Sequence, residues 1–155
     1  QPEELAPEYR KLWETVKIRP AYTGYIAAEA RKVEANRAAY EEVEAAIGVP
    51  WQFTGVIHSL ECSLSFKKHL HCGDPRTART VRVPKGRPLK GNPPFTWKES
   101  AIDALEMKGL HQLKDWSIER ILYELERYNG FGYRDWHPEV LSPYLWSMTN
   151  HYSLG

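Results

Sequence analysis

The residues able to do chemistry are concentrated between Val56 and Val83, in VIHSLECSLSFKKHLHCGDPRTARTVRV. Glu61 follows Leu60 on what reads as an apolar helical stripe. A carboxyl at a partly buried helix end is desolvated, which raises its pKa and keeps it protonated near neutrality. That is the state from which a general acid protonates a glycosidic oxygen. The competing reading is a solvent-facing Glu61 or one paired with Lys67 or Lys68, and the sequence leaves both open. Asp74 lies in HCGDP, where a turn aspartate ordinarily caps its own backbone. In a catalytic reading it stands across a saccharide cleft from Glu61 as base or electrostatic partner. Thr77 and Thr80 would then position a water, against the plainer explanation of strand propensity.

The histidines invite a metal reading. His58 is three residues before Glu61 and shares its helix side. His69 and His71 alternate, which puts both on one side of an extended segment. With Glu61 or Asp74 they would supply the three protein ligands of a catalytic zinc. Neither HExxH nor CxxC is present, so no metal and no cofactor are expected. His58 and His71 read instead as hydrogen-bonding cleft or core residues. Cys62 and Cys72 fit one disulfide or two free thiols, and no pattern ties either to a histidine base as a nucleophile.

These groups need elements to hold them. Residues 3–17 show apolar spacing for a short amphipathic helix, which Pro20 ends. Residues 24–47 read as one long helix with a charged outer face, terminated by Gly48 and Pro50. Residues 51–65 carry little charge and predict a central, mostly buried helix that delivers Glu61. Residues 66–96 are the only long non-helical region. TARTVRV suits a strand and PKGRPLKGNPP a turn-rich loop, so a small β hairpin is expected. Thr96 with Glu99 forms a capping box for a helix running to Gly109. Ser117 caps another that ends at Asn129-Gly130, and residues 138–152 form a last helical stretch interrupted near Pro143. At that glycine-rich helix exit, Tyr128, Asn129 and Tyr133 escape the core. With Asn150 they offer rings and amides of the kind a sugar site uses.

The expected fold class is α+β, mainly helical, with one hairpin beside a helical body. At 155 residues the chain fits a single domain, 1–155. Twenty-one Lys and Arg against twenty Asp and Glu leave no global field for nucleic acid. No apolar run reaches the length of a membrane span. Six tryptophans and nine tyrosines are the compositional peculiarity, and such rings line carbohydrate grooves as well as cores. A monomer is expected. The signal segment of an exported protein is not visible.

Helix-end Glu61 followed by Asp74 and Thr80, six apart, resembles the Glu–Asp–Thr arrangement of phage-type lysozymes. ERYNGFGYR is similar to the Tyr-Asn signature of lytic transglycosylases. From about Trp51 onward, IHSLECSLSFKKHLHCGDPRTARTV, NPPFTWKESAIDAL, YNGFGYR and SPYLWSMTNHY resemble bacterial and phage lysozyme-family peptidoglycan hydrolases, endolysins included. The resemblance implies a lysozyme-like fold, a periplasmic or extracellular setting, and cleavage of the β-1,4 glycan of peptidoglycan with Glu61 as acid. Asp74 and Thr80 would activate water or stabilise the oxocarbenium-like transition state. His58, His71, Thr77, Tyr128, Asn129, Tyr133 and Asn150 would contact substrate, and Arg79 and Arg82 would face carboxylates of the cell-wall stem peptide. Relatives carry small or polar residues at positions 62 and 72, so the paired change here implies a Cys62–Cys72 disulfide. They also continue past Gly155. A lytic transglycosylase needing Glu61 alone, and a non-catalytic glycan-binding module, are the alternatives within this resemblance.

Overall fold

Helix formation follows the apolar periodicity in most places. The computed structural model describes residues 1–153 and is mainly helical: α1 Pro2–Thr15, α2 Thr23–Ala35, α3 Arg37–Ile47, α4 Trp51–Cys62, α5 Trp97–Met107, α6 Ile118–Asn129, α7 Gly132–Trp136 and α8 Pro143–Trp146. Short 3-10 turns occupy Pro20–Tyr22 and Leu110–Gln112. The expected helix over 24–47 is two helices. Asn36 leaves helical geometry, its N–H donates to Lys32 O and Val33 O, and its side-chain amide donates to Tyr40 Oη. Asparagine offers the backbone local alternatives of this kind, which is why it breaks helices. Gly48, in the left-handed region, donates to Glu44 O and ends α3 as the sequence predicts.

The chain forms two compact units. One is residues 1–28 with 114–155; the other is residues 29–113. In the first, α1 packs on α6 and α6 on α8. Tyr9, Leu122 and Trp146 form its buried centre, flanked by Leu5, Leu12, Ile118 and Leu145. In the second, α3 packs on α4 and α5, around Tyr40, Val43, Phe53, Ile57, Leu70, Trp97 and Leu105. Gly55 permits the close approach of α4: a Cβ there would sit 2.5 Å from Val33 Cγ1 and 3.1 Å from Tyr40 Cε2.

The β hairpin expected over residues 66–96 is not formed. Among the described residues the only β pairings are two isolated bridges, Ile18 with Thr149 and Lys68 with Pro75. Residues 77–83 find no partner strand, and their alternation leaves Val81 73% and Val83 89% exposed. Two physical reasons apply. Five prolines between 66 and 96 lack the N–H that a ladder needs. Arginine side chains also take the carbonyls a ladder would use: Arg76 donates to Phe66 O and Phe95 O, Arg79 to Pro88 O and Gly91 O. What remains of a hairpin is a clasp in which His69 N–H donates to Asp74 O at 2.6 Å and Arg76 N–H to Lys67 O at 3.1 Å.

Candidate active site around Glu61

Glu61 sits in the last turn of α4. The helix stops one residue later because Ser63 and Leu64 both enter the left-handed region, at φ 50° and 64°. Their N–H groups donate to Ser59 O and His58 O, closing the end. Left-handed geometry costs a non-glycine residue roughly 1–2 kcal/mol, so the packing around α4 must hold this turn in place. The turn sends the chain into the clasp, which lies directly against the helix end: a Cβ on Gly73 would be 2.9 Å from Glu61 O. Gly73, at φ 84°, is one place where the backbone requires glycine.

The Glu61 side chain is half-buried, and burial raises its pKa above the ordinary carboxylate range, with Lys108 at the end of α5 pulling the other way. Among the described residues no hydrogen bond or ion pair engages its carboxylate. Desolvation is therefore the dominant influence, as expected of a proton donor.

The surrounding histidines are scaffolding. His58 is fully buried; its Nε2 donates to Ser65 O at 2.9 Å, so its Nδ1 accepts from Tyr40 Oη–H at 2.7 Å. Burial lowers its pKa, which keeps it neutral in this arrangement. His69 is pinned the same way, Nε2 to Ala78 O and Nδ1 from the Ser100 hydroxyl, both at 2.7 Å. His71 Nε2 donates to Asp103 Oδ2 at 2.6 Å, and Arg87 donates to both oxygens of the same carboxylate, at 3.0 and 2.8 Å. Burial pushes the His71 pKa down and the Asp103 contact opposes it. Neither the His58 nor the His71 side chain reaches solvent, so the expectation that they contact substrate gives way to a role in holding the turn and α5 together. Among the described residues no group of three or more His, Cys, Asp and Glu is arranged to hold a metal ion.

Asp74 organises the loop. Its Oδ2 accepts the Val81 and Arg82 N–H groups, both at 2.9 Å, and its Oδ1 faces Arg82 Nε at 3.2 Å. The Arg82 N–H bond leads the influences that hold its pKa below the usual range. Thr80 is equally committed: its hydroxyl donates to Pro84 O and accepts from Arg87 N–H at 2.9 Å. Thr77 is exposed and lines a cavity beside the clasp. Arg79 is spent on carbonyls, while Arg82 is exposed beside Asp74.

Cys62 and Cys72 are free thiols, so the Cys62–Cys72 disulfide is not present. Cys62 is buried and donates its S–H to His69 O at 3.4 Å, the carbonyl that also accepts the N–H groups of Cys72 and Gly73. Burial pushes the Cys62 thiol up to about 12, and the Glu61 charge adds to the effect.

Tyr128, Asn129, Tyr133 and Asn150 belong to the first unit. Asn129 Nδ2 donates to Leu125 O at 2.8 Å, finishing α6. Tyr133 packs edge-on against Tyr144, and Tyr128 is half-buried. Asn150 clips the end of the chain to the segment after α1, accepting from Lys17 N–H and donating to Thr15 O. Sequence reasoning missed Asp103, Arg87 and Lys108, which act on the site from elsewhere in the chain. The only available signal was Asp103 standing on the otherwise apolar AIDAL face of α5.

Compared with known proteins, the chain matches no family model, no curated protein and no solved structure.

Proposed function

We propose that the protein cleaves the β-1,4 glycan of peptidoglycan, outside the cytoplasmic membrane, with Glu61 as general acid. The observation that carries this reading is a half-buried carboxylate at a helix end whose pKa is raised by desolvation and which is free of any bonded partner among the described residues. Glu61 gives its proton to the glycosidic oxygen as the bond to the anomeric carbon breaks. The carboxylate left behind then takes a proton from the nucleophile that closes the reaction.

Two nucleophiles fit. A water gives hydrolysis, as in a lysozyme, with Asp74 and Thr80 as the expected helpers. A hydroxyl of the sugar itself gives a lytic transglycosylase reaction needing Glu61 alone. The second is favoured by one observation: Asp74 and the Thr80 hydroxyl already spend their bonds on residues 81–87. The test is turbidity loss of purified peptidoglycan with the wild type and Glu61→Gln, followed by mass spectrometry of the products. Loss of lysis by about 10² to 10⁴-fold is expected in the variant. Anhydro-sugar ends identify transglycosylation; reducing ends identify hydrolysis. Equal lysis by both proteins sinks Glu61 as the acid, and no lysis by either leaves a non-catalytic glycan-binding module as the successor.

A further inference from the structure

Beside the clasp lies a cavity of about 460 Å3 whose lining includes Ser65, Lys67, Lys68, Gly73, Arg76 and Thr77. Among the described residues that line it there is no carboxylate. None of the ion pairs among the described residues uses Lys67, Lys68 or Arg76. The clasp itself gathers the three cations: the Arg76 N–H donates to Lys67 O, and Lys68 bridges to Pro75. The Arg76 guanidinium is further fixed by donating Nε to Phe66 O at 2.6 Å and Nη1 to Phe95 O. Carbonyls orient a guanidinium without neutralising it, and they use only part of its five donors. Three like charges around one concavity repel each other until an anion enters. Ser65 and Thr77 add hydroxyls.

Gly73 connects this cavity to the proposed acid, because it lines the cavity and also packs against Glu61 O. We infer that the cavity is an anion subsite holding a carboxylate carried by the glycan, the acidic substituent of the sugar beside the bond that Glu61 cleaves. The inference rests on the reading of Glu61 as a glycan-cleaving acid. It makes the substrate an acidic glycan, with Lys67, Lys68 and Arg76 setting specificity. A wall phosphodiester offers the same oxyanion chemistry, and the test separates the two sources.

The Glu61→Gln protein, which binds without turnover, is titrated with a peptide-free disaccharide containing N-acetylmuramic acid, its lactyl carboxylate free, and with the same compound amidated at that carboxyl. Binding is read from the backbone amide resonances of Gly73 and Thr77. The free form is expected to bind roughly tenfold tighter. That preference should vanish when Lys67→Gln and Lys68→Gln are combined, both exposed positions whose exchange leaves the fold intact by circular dichroism, and should fade as salt rises. Competition by inorganic phosphate assigns the site to oxyanions in general; retention of the free-carboxylate disaccharide against phosphate assigns it to carboxylates. Equal affinity for the two forms, or no response at Gly73 and Thr77, overturns the subsite. Lysis by the wild type is a separate measurement: Glu61-dependent lysis without the carboxylate preference removes only the subsite, and the preference without lysis removes only the enzyme.

Discussion

The buried carboxylates of the first unit and Glu61 of the second are treated in opposite ways. In the first, Glu119, Glu124 and Glu126 are all buried along α6, and each meets guanidinium groups. Glu126 receives the Tyr9 hydroxyl at 2.5 Å and Arg134 at 3.0 Å, and Arg134 reaches on to Glu8 at 2.6 Å. Glu124 is gripped by Arg120 at 2.8 Å and Arg127 at 2.6 Å, and Glu119 by Arg10. In the second unit, Glu61 is less buried but has only the field of Lys108 to offset desolvation. The difference separates structure from chemistry. A carboxylate fully paired with arginine is spent on the fold, whereas one left desolvated and unpaired keeps a proton to give.

Exchanging the roles tests this contrast most severely. Glu126→Gln removes the charge shared by Arg134 and the Tyr9 hydroxyl, leaving Arg134 only Glu8, and should cost about 3 kcal/mol in chemical denaturation, whereas Glu61→Gln should leave the midpoint unchanged or higher while abolishing the proposed lysis. A stable Glu126→Gln protein would break the comparison. Within the second unit, Asp103→Asn removes the charge and one of the two accepting oxygens that His71 and Arg87 use, and a loss of about 2 kcal/mol is expected. A smaller effect should follow Lys108→Gln. Lys108 lowers the Glu61 pKa, so its removal raises that pKa further, and the proposed lysis, which would need the protonated acid, should persist to higher pH. Stability carries the matching sign: the folded protein holds this proton longer than the unfolded chain, so Glu61's contribution is present below the unfolded pKa and is lost as pH rises through the folded one. An unshifted basic limb in the pH–rate profile would detach Lys108 from the acid. Least of all, Ser63→Gly relieves a left-handed residue at an exposed position and should stabilise by about 0.5 kcal/mol, read from the thermal midpoint.

The sequence made the helices legible where local chemistry decides them. Thr96 accepts the Glu99 N–H at 3.1 Å and Ser117 the Arg120 N–H at 3.4 Å, both foreseen from cap spacing. Glu61 was visible for the same reason, as one acid on an apolar face. The expected strand failed because alternation describes a single segment, while a sheet also needs a partner, and the arginines of residues 76–79 occupy the carbonyls instead. The roles of His58, His69 and His71 were hidden because their partners lie up to 32 residues away, on α3, α5 and the loop. Long-range pairing of this kind leaves no periodicity to read.

The thiol of Cys62 offers a clock for the site. With its pKa near 12 and its sulfur buried against His69 O, it is almost inert to alkylating reagents at neutral pH. Cys72, half-buried on the clasp, is less enclosed than Cys62, although burial raises its thiol too, and should react first. Slow labelling of Cys62 therefore counts the moments when the end of α4 lifts away from the clasp, before any global unfolding. A ligand that settles against Gly73 would slow that count, which makes one native cysteine a reporter of occupancy at the helix end that presents Glu61.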